Sequence, residues 1–150
     1  MSQEFKAFIE KRKKVAQAYV NGDAEPLGEI AAEQSPASFF GPMGGSVEGA
    51  KQVMSRYEKD AKSFDDGSET DLEILDMSAD GKLGYWVGFQ NAKARMKGNA
   101  DAIPMRLRVT EIFRKVDDDW RLVHRHADPL VRHVKLEQAA AIARGLDVNE

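Results

Sequence analysis

Leu107-Arg108-Val109-Thr110-Glu111-Ile112-Phe113-Arg114-Lys115-Val116, then Asp117-Asp118-Asp119, then Trp120-Arg121-Leu122-Val123-His124-Arg125-His126 is the stretch on which the fold turns. Its side chains alternate in character with a period of two, the mark of extended strands covered on one face. The first run begins at Ile103 and ends at Val116. The aspartates reverse the chain, and the second run continues from Trp120 to Ala127. Together they read as an antiparallel hairpin. The spacing of the acidic residues does not match a calcium loop, so they are read as a turn alone.

Alternation sorts these residues into faces. On the first strand Met105, Leu107, Val109, Glu111 and Phe113 share one face, and Arg106, Arg108, Thr110, Ile112 and Arg114 share the other. The apolar row must be covered, which places Glu111 among apolar neighbours. On the second strand Trp120, Leu122, His124, His126 and Asp128 fall on one face, expected to be the inner one.

Upstream of the hairpin the period is also two. Leu72, Ile74 and Met77 suggest a strand, and Asp80-Gly81 its turn. In the next strand Leu83, Tyr85, Val87 and Phe89 alternate with Gly84, Trp86, Gly88 and Gln90. The first row is expected to face inward and Trp86 outward. A polar connection, 97–101, leads back to the hairpin.

The first part of the chain has helical spacing. Phe5, Phe8, Ile9, Val15, Ala16 and Tyr19 recur every three or four residues, and Asn21-Gly22 is a natural stop. Lys11, Lys13 and Lys14 fall mostly off that stripe and read as a solvated face. Asp23 is a cap for a short helix over 24–33, where Pro26 is tolerated in the first turn. A short strand at 37–40 is followed by the glycine-rich loop 41–45, which lacks the Gly-Lys-Ser/Thr ending of a phosphate loop. Ser46 is expected to cap a third helix with the stripe Val47, Ala50, Val53, Met54, Tyr57, Ala61 and Phe64. The tail, 135–144, is alanine-rich and helical, with Gly145 as its stop. Helices first, then an antiparallel meander, is the α+β pattern.

The whole chain sets further bounds. Its 150 residues suit one domain, with 1–130 the body and 131–150 a helical tail of the same domain. There are no cysteines, which excludes disulfides, thiolate zinc sites and cysteine nucleophiles. The net charge is −3 with both signs interspersed, which argues against nucleic acid as a partner. No stretch reads as a signal peptide or membrane span, so no membrane partner and a cytoplasmic location are expected.

The final hairpin resembles the SnoaL-like branch of the nuclear transport factor 2-like superfamily. Its Trp-x-x-Val-His-x-His ending is also similar to the association domain of calmodulin-dependent kinase II. Phe39-Phe40-Gly41-Pro42-Met43-Gly44-Gly45, Val47-Glu48-Gly49 and Asn21-Gly22-Asp23 share the resemblance, which covers about residues 5–130. It implies a cone: three N-terminal helices packed in a curved antiparallel sheet, with a pocket inside. It also implies a homodimer through the sheet's outer face, here Trp86, Arg106, Arg108, Arg121 and Arg125. The superfold hosts several chemistries, so it does not by itself choose one.

Glu111 is the most informative candidate. A carboxylate in an apolar row must be neutral, hydrogen-bonded or paired. If neutral, it is a general acid or donor, as the resemblance to ketosteroid isomerases implies for an acid two residues before a Phe. If paired, its partner is His124 or an arginine of a neighbouring strand. The carboxylate base of those isomerases would stand at Gly41 here, so steroid isomerisation is not expected. His124 and His126, two apart on a strand, are the candidate proton carriers. A His-x-His pair can also bind metal with Glu111 or Asp128, but no metal and no cofactor are expected. Tyr19, Phe39, Tyr57, Tyr85, Phe89, Val109, Phe113, Trp120 and Asp128 are the candidate ligand-binding residues. The leading expectation is an apolar pocket for a small molecule. The alternatives are an acid–base isomerase or cyclase that uses Glu111 with His124 or His126, and a dimeric assembly domain without ligand.

Overall fold

The computed structural model describes residues 2–145; residue 1 and the last five residues of the tail lie outside the described residues. Ten elements follow one another: α1 (Gln3–Val20), α2 (Glu25–Ile30), β1 (Ser38–Gly41), β2 (Gly44–Glu48), α3 (Ala50–Ala61), β3 (Glu69–Asp80), β4 (Leu83–Ala94), β5 (Ile103–Val116), β6 (Asp119–Pro129) and α4 (Leu136–Gly145). The strands form one curved, unclosed sheet in the order β2-β1-β6-β5-β4-β3. All neighbours are antiparallel except β1 and β6, which run parallel. The architecture is α+β, with α1–α3 on the inner face.

Helix α1 is set by its apolar stripe and its ends. The Ser2 hydroxyl accepts the Phe5 amide at 3.2 Å, a side-chain cap. Gly22 closes the helix at φ +95°, where a Cβ would meet the Phe64 carbonyl oxygen at 2.9 Å, so only glycine fits. Gln17 and Asn21 then tie the helix to β3. Gln17 Oε1 accepts the Thr70 amide at 2.9 Å, and Asn21 Oδ1 accepts the Ser68 amide at 3.0 Å.

The buried end of the cone is aromatic. Phe5 meets Trp120 edge-on at 4.9 Å, and Phe8 meets Phe113 at 5.1 Å. Val109, Phe113 and Trp120 are all buried there, part of the packed core.

Three local expectations give way. The glycine loop and Ser46 do not lead straight into a helix. Residues 44–48 pair with β1 as an extra strand, and Gly49, at φ +98°, stands before α3. The second helix stops at Ile30 because Ala31 bridges to Leu122 of β6, which takes the chain out of the helix. Asp23 still accepts the Glu25 amide at 3.0 Å.

The faces of β4 are the reverse of the expectation. Gly84, Trp86 and Gly88 are buried, while Tyr85, Val87 and Phe89 look outward, half exposed. The cause is α1. A Cβ at position 84 would sit 2.6 Å from the Phe5 ring, so Gly84 makes the space that Phe5 fills. Trp86 is fully buried beside it. Tyr85 therefore bonds Asp76 on the outer face, and Arg106 lies over the Phe89 ring at 4.3 Å.

Candidate functional site

Glu111 sits in the middle of β5, on the inner face, with no solvent exposure. Four donors converge on its two oxygens. Arg12 binds both, Nε to Oε1 at 2.9 Å and Nη2 to Oε2 at 2.8 Å. Arg125 Nη1 donates to Oε2 at 2.6 Å, and Trp86 Nε1 donates to Oε1 at 2.7 Å. An ionised carboxylate has about four acceptor sites. All of them are used.

Each partner arrives by a structural device. Arg12 lies three residues after Ile9 and three before Val15, on the buried stripe of α1. Trp86 stands opposite Glu111 in the β4–β5 register. Arg125 faces inward because β6 carries a bulge: Ile112 pairs with His124 but Phe113 pairs with Leu122, so Val123 is the extra residue. One extra residue inverts every later side chain. Arg125 and Ala127 therefore turn inward. His124, His126 and Asp128, all expected inside, turn outward. Arg125 also leaves the set of outer-face residues, as does Trp86.

Electrostatics fixes the state of the carboxyl. Burial alone pushes it up, but Arg12 and then Arg125 outweigh that and hold it down, to about 2. Glu111 is thus held as an anion at neutral pH. The neutral general acid considered above is overturned, and the paired alternative, with an arginine of a neighbouring strand, describes the geometry. Arg12 remains charged: burial lowers its pKa, but Glu111 more than restores it.

Beside this cluster a cavity of about 250 Å³ opens between α1, α3 and the sheet. Ala16, Tyr19, Leu27, Phe39, Tyr57 and Leu107 form much of its apolar wall. Arg12, Arg125 and Gln90 supply polar groups, and Asp60, Ser63 and Met43 also line it. Arg125 Nη2 donates to Gln90 Oε1 at 2.6 Å. Burial raises the phenol pKa of Tyr19 and of Tyr57, so both hydroxyls stay protonated. Asp60 is raised as well, chiefly by burial. A broader hollow of about 620 Å³ at the ends of β3, β4 and β5 is more open to solvent than the cone cavity, which is the better-formed site.

Of the sequence-derived candidates, Tyr19, Phe39 and Tyr57 line the cavity. Val109, Phe113 and Trp120 lie in the packed core beyond it. Tyr85, Phe89 and Asp128 face the other way, and Asp128 takes Arg108 Nε at 2.7 Å. His124 and His126 form an outer cluster with Phe40, whose ring meets them at 4.9 and 5.4 Å. Ser38 Oγ lies 2.7 Å from His124 Nδ1. Burial, and then His126, lower the pKa of His124. Among the described residues no group of three His, Asp or Glu is placed to hold a metal ion. No described helix is long and apolar enough to cross a membrane.

The residues missed by sequence reasoning are chiefly Arg12, Arg125 and Gln90. Arg12 had a signal. An arginine on the apolar stripe of a helix and a glutamate on the apolar face of a strand each need a buried partner, and one satisfies the other.

A family model described as a SnoaL-like domain matches residues 12–131. No curated protein matches the sequence. Among solved structures, the chain is similar to a nuclear transport factor 2-like superfamily protein from Salmonella enterica. That match has 17% identity and TM-score 0.74, over 90% of this chain and 94% of the other. It is also similar to a candidate dehydratase of that family from Streptomyces avermitilis (20% identity, 77% and 87% covered, TM-score 0.62). A third is a candidate ketosteroid isomerase from Parabacteroides distasonis (15% identity, 82% and 85% covered, TM-score 0.57). At these identities the likeness carries the fold and not the chemistry.

Proposed function

Since the chain belongs to the SnoaL-like domain family, we propose that it is a binding cone: a domain that holds a small, mostly apolar molecule in the cavity beside Glu111. One observation carries the reading. The Glu111 carboxylate is fully bonded without a reacting group, while the apolar cavity next to it stays open. A cavity with apolar walls and a few convergent polar groups is what small-molecule sites are made of.

The acid–base alternative finds no support in this geometry. Glu111 has no free acceptor site and no proton to give. His124 and His126 stand on the opposite side of the sheet, where they cannot reach a molecule in the cone.

Titration with indole, followed by NMR, tests the binding reading. Saturable shifts confined to Tyr19, Phe39 and Tyr57, lost in a cavity-filling Met105→Trp variant, are expected. Shifts that never saturate, or that survive the filled cavity unchanged, would overturn it.

A second reading concerns assembly. The reversed faces of β4 put Tyr85, Val87 and Phe89 on the outer side, beside Ile112 and the Arg106 that stacks on Phe89. A half-exposed apolar row with arginines around it suits a homodimer interface. Light scattering of the wild type and of Phe89→Glu tests this: a dimer that becomes a monomer is expected, and a wild-type monomer at high concentration contradicts it.

A further inference from the structure

The walls of the cavity are unbalanced in donors and acceptors. A guanidinium carries five N–H donors. Arg12 uses two on Glu111, and Arg125 uses one on Glu111 and one on Gln90. Among the described residues no further acceptor meets either group. Tyr19 and Tyr57 also line the cavity, and their hydroxyls have no partner among the described residues. They are not sealed in the core either, since Trp120 Nε1 is the one fully enclosed side-chain polar atom left unpaired among those residues. Glu111 cannot take these donors, because its acceptor sites are filled. Gln90 Oε1 is taken by Arg125, and its amide donates to Thr70.

Charge points the same way. Two guanidiniums face one carboxylate, so the side of the wall built by Arg12, Arg125 and Glu111 carries a net positive charge. Asp60 lines the cavity too and acts on Tyr19, but Arg56 and Lys59 of the same helix offset its charge. A donor-rich, positive wall at one side of an apolar cavity favours an anionic acceptor with an apolar body.

We infer that the ligand class is a small monocarboxylate, its head seated on the free N–H groups of Arg12 and Arg125 with the Tyr19 and Tyr57 hydroxyls, and its apolar body against Ala16, Leu27 and Phe39. This rests on the binding reading above and narrows it. A planar carboxylate matches the fork of a guanidinium and accepts from several donors at once. A neutral acceptor would satisfy some of the donors and leave the excess charge unanswered.

The test compares acids with their neutral isosteres. Phenylacetate, cinnamate and octanoate are each titrated against the matching primary amide at neutral pH, with NMR of the Nε–Hε groups of Arg12 and Arg125. At least one acid is expected to give saturable shifts at both arginines and to bind tenfold or more tightly than its amide. Tyr57→Phe, which keeps the ring and removes the hydroxyl, is expected to weaken the acid more than the amide. Acids and amides binding equally well would overturn this inference and leave the binding cone standing. Saturable binding of neither class, at any cavity residue, would overturn both.

Discussion

Trp86 and Glu111 are directly opposed in the β4–β5 register, and the indole nitrogen donates to the carboxylate at 2.7 Å. This contact joins two inward-facing rows that the sequence places on different sides of the sheet. It also completes the cage that makes Glu111 a structural anion. The energetics of the inner face follow from it.

Replacing Glu111 with glutamine keeps the shape and removes the charge. Arg12 and Arg125 then lose their common counter-ion, Arg12 inside the protein. Breaking a buried pair on one side costs about 3–5 kcal/mol. Urea unfolding of Glu111→Gln is expected to show a loss of that size. A loss below about 1 kcal/mol would mean that the arginines find other partners.

The same pairing makes stability depend on acid. The carboxyl has an ordinary pKa of 4.5 and a folded value of about 2. A folded value below the unfolded one contributes stability that is fully present above about pH 4.5 and is lost as pH falls toward 2. The loss is on the order of 3 kcal/mol. Unfolding free energies measured across that window are expected to fall in the wild type. They should fall less steeply in Glu111→Gln, which has nothing to titrate there.

Gly84 is required by the Phe5 ring. A methyl group at that position would lie 2.6 Å from the ring, so Gly84→Ala is expected to destabilise by about 1–3 kcal/mol through overpacking. Phe5→Leu in the same chain should recover part of the loss, since it clears the space. A double-mutant cycle checks this, and strict additivity would count against the contact.

The β5–β6 turn holds strain that can be relieved. Asp117 and Asp118 both have positive φ, 49° and 70°, the pattern of a two-residue turn that prefers glycine second. Asp118→Gly is expected to raise stability by about 0.5–1 kcal/mol, measured by thermal unfolding.

Much of the fold was legible because it depends on periodicity. The bounds of β5, the inward row of Val109, Glu111 and Phe113, and the first helix follow from spacing alone. The site was legible only in part, because three of its determinants leave little trace in a period of two. The bulge at Val123 keeps alternation intact on both sides while inverting what comes after it. Histidine and arginine fit either face, so nothing in His124-Arg125-His126 marks the inversion. In β4 both rows are compatible with burial, and the choice falls to α1, where Phe5 needs Gly84. Arg12 was hidden by its neighbours: within Lys11-Arg12-Lys13-Lys14 it looks like part of a solvated run, although its position is on the buried stripe.

The ionisation of Glu111 decides whether this carboxylate is a fixed counter-ion beside a binding cavity or an acid within it. Carbon-13 labelling of the glutamate side chains allows the Glu111 carboxyl shift to be followed by NMR as pH is lowered. The expected result is a carboxylate signal that persists below pH 4 and changes only toward about 2 or on unfolding. A midpoint at or above the ordinary value of 4.5 would contradict it. Glu111 would then hold a proton at mild pH, and acid–base chemistry in the cone would return as the leading reading.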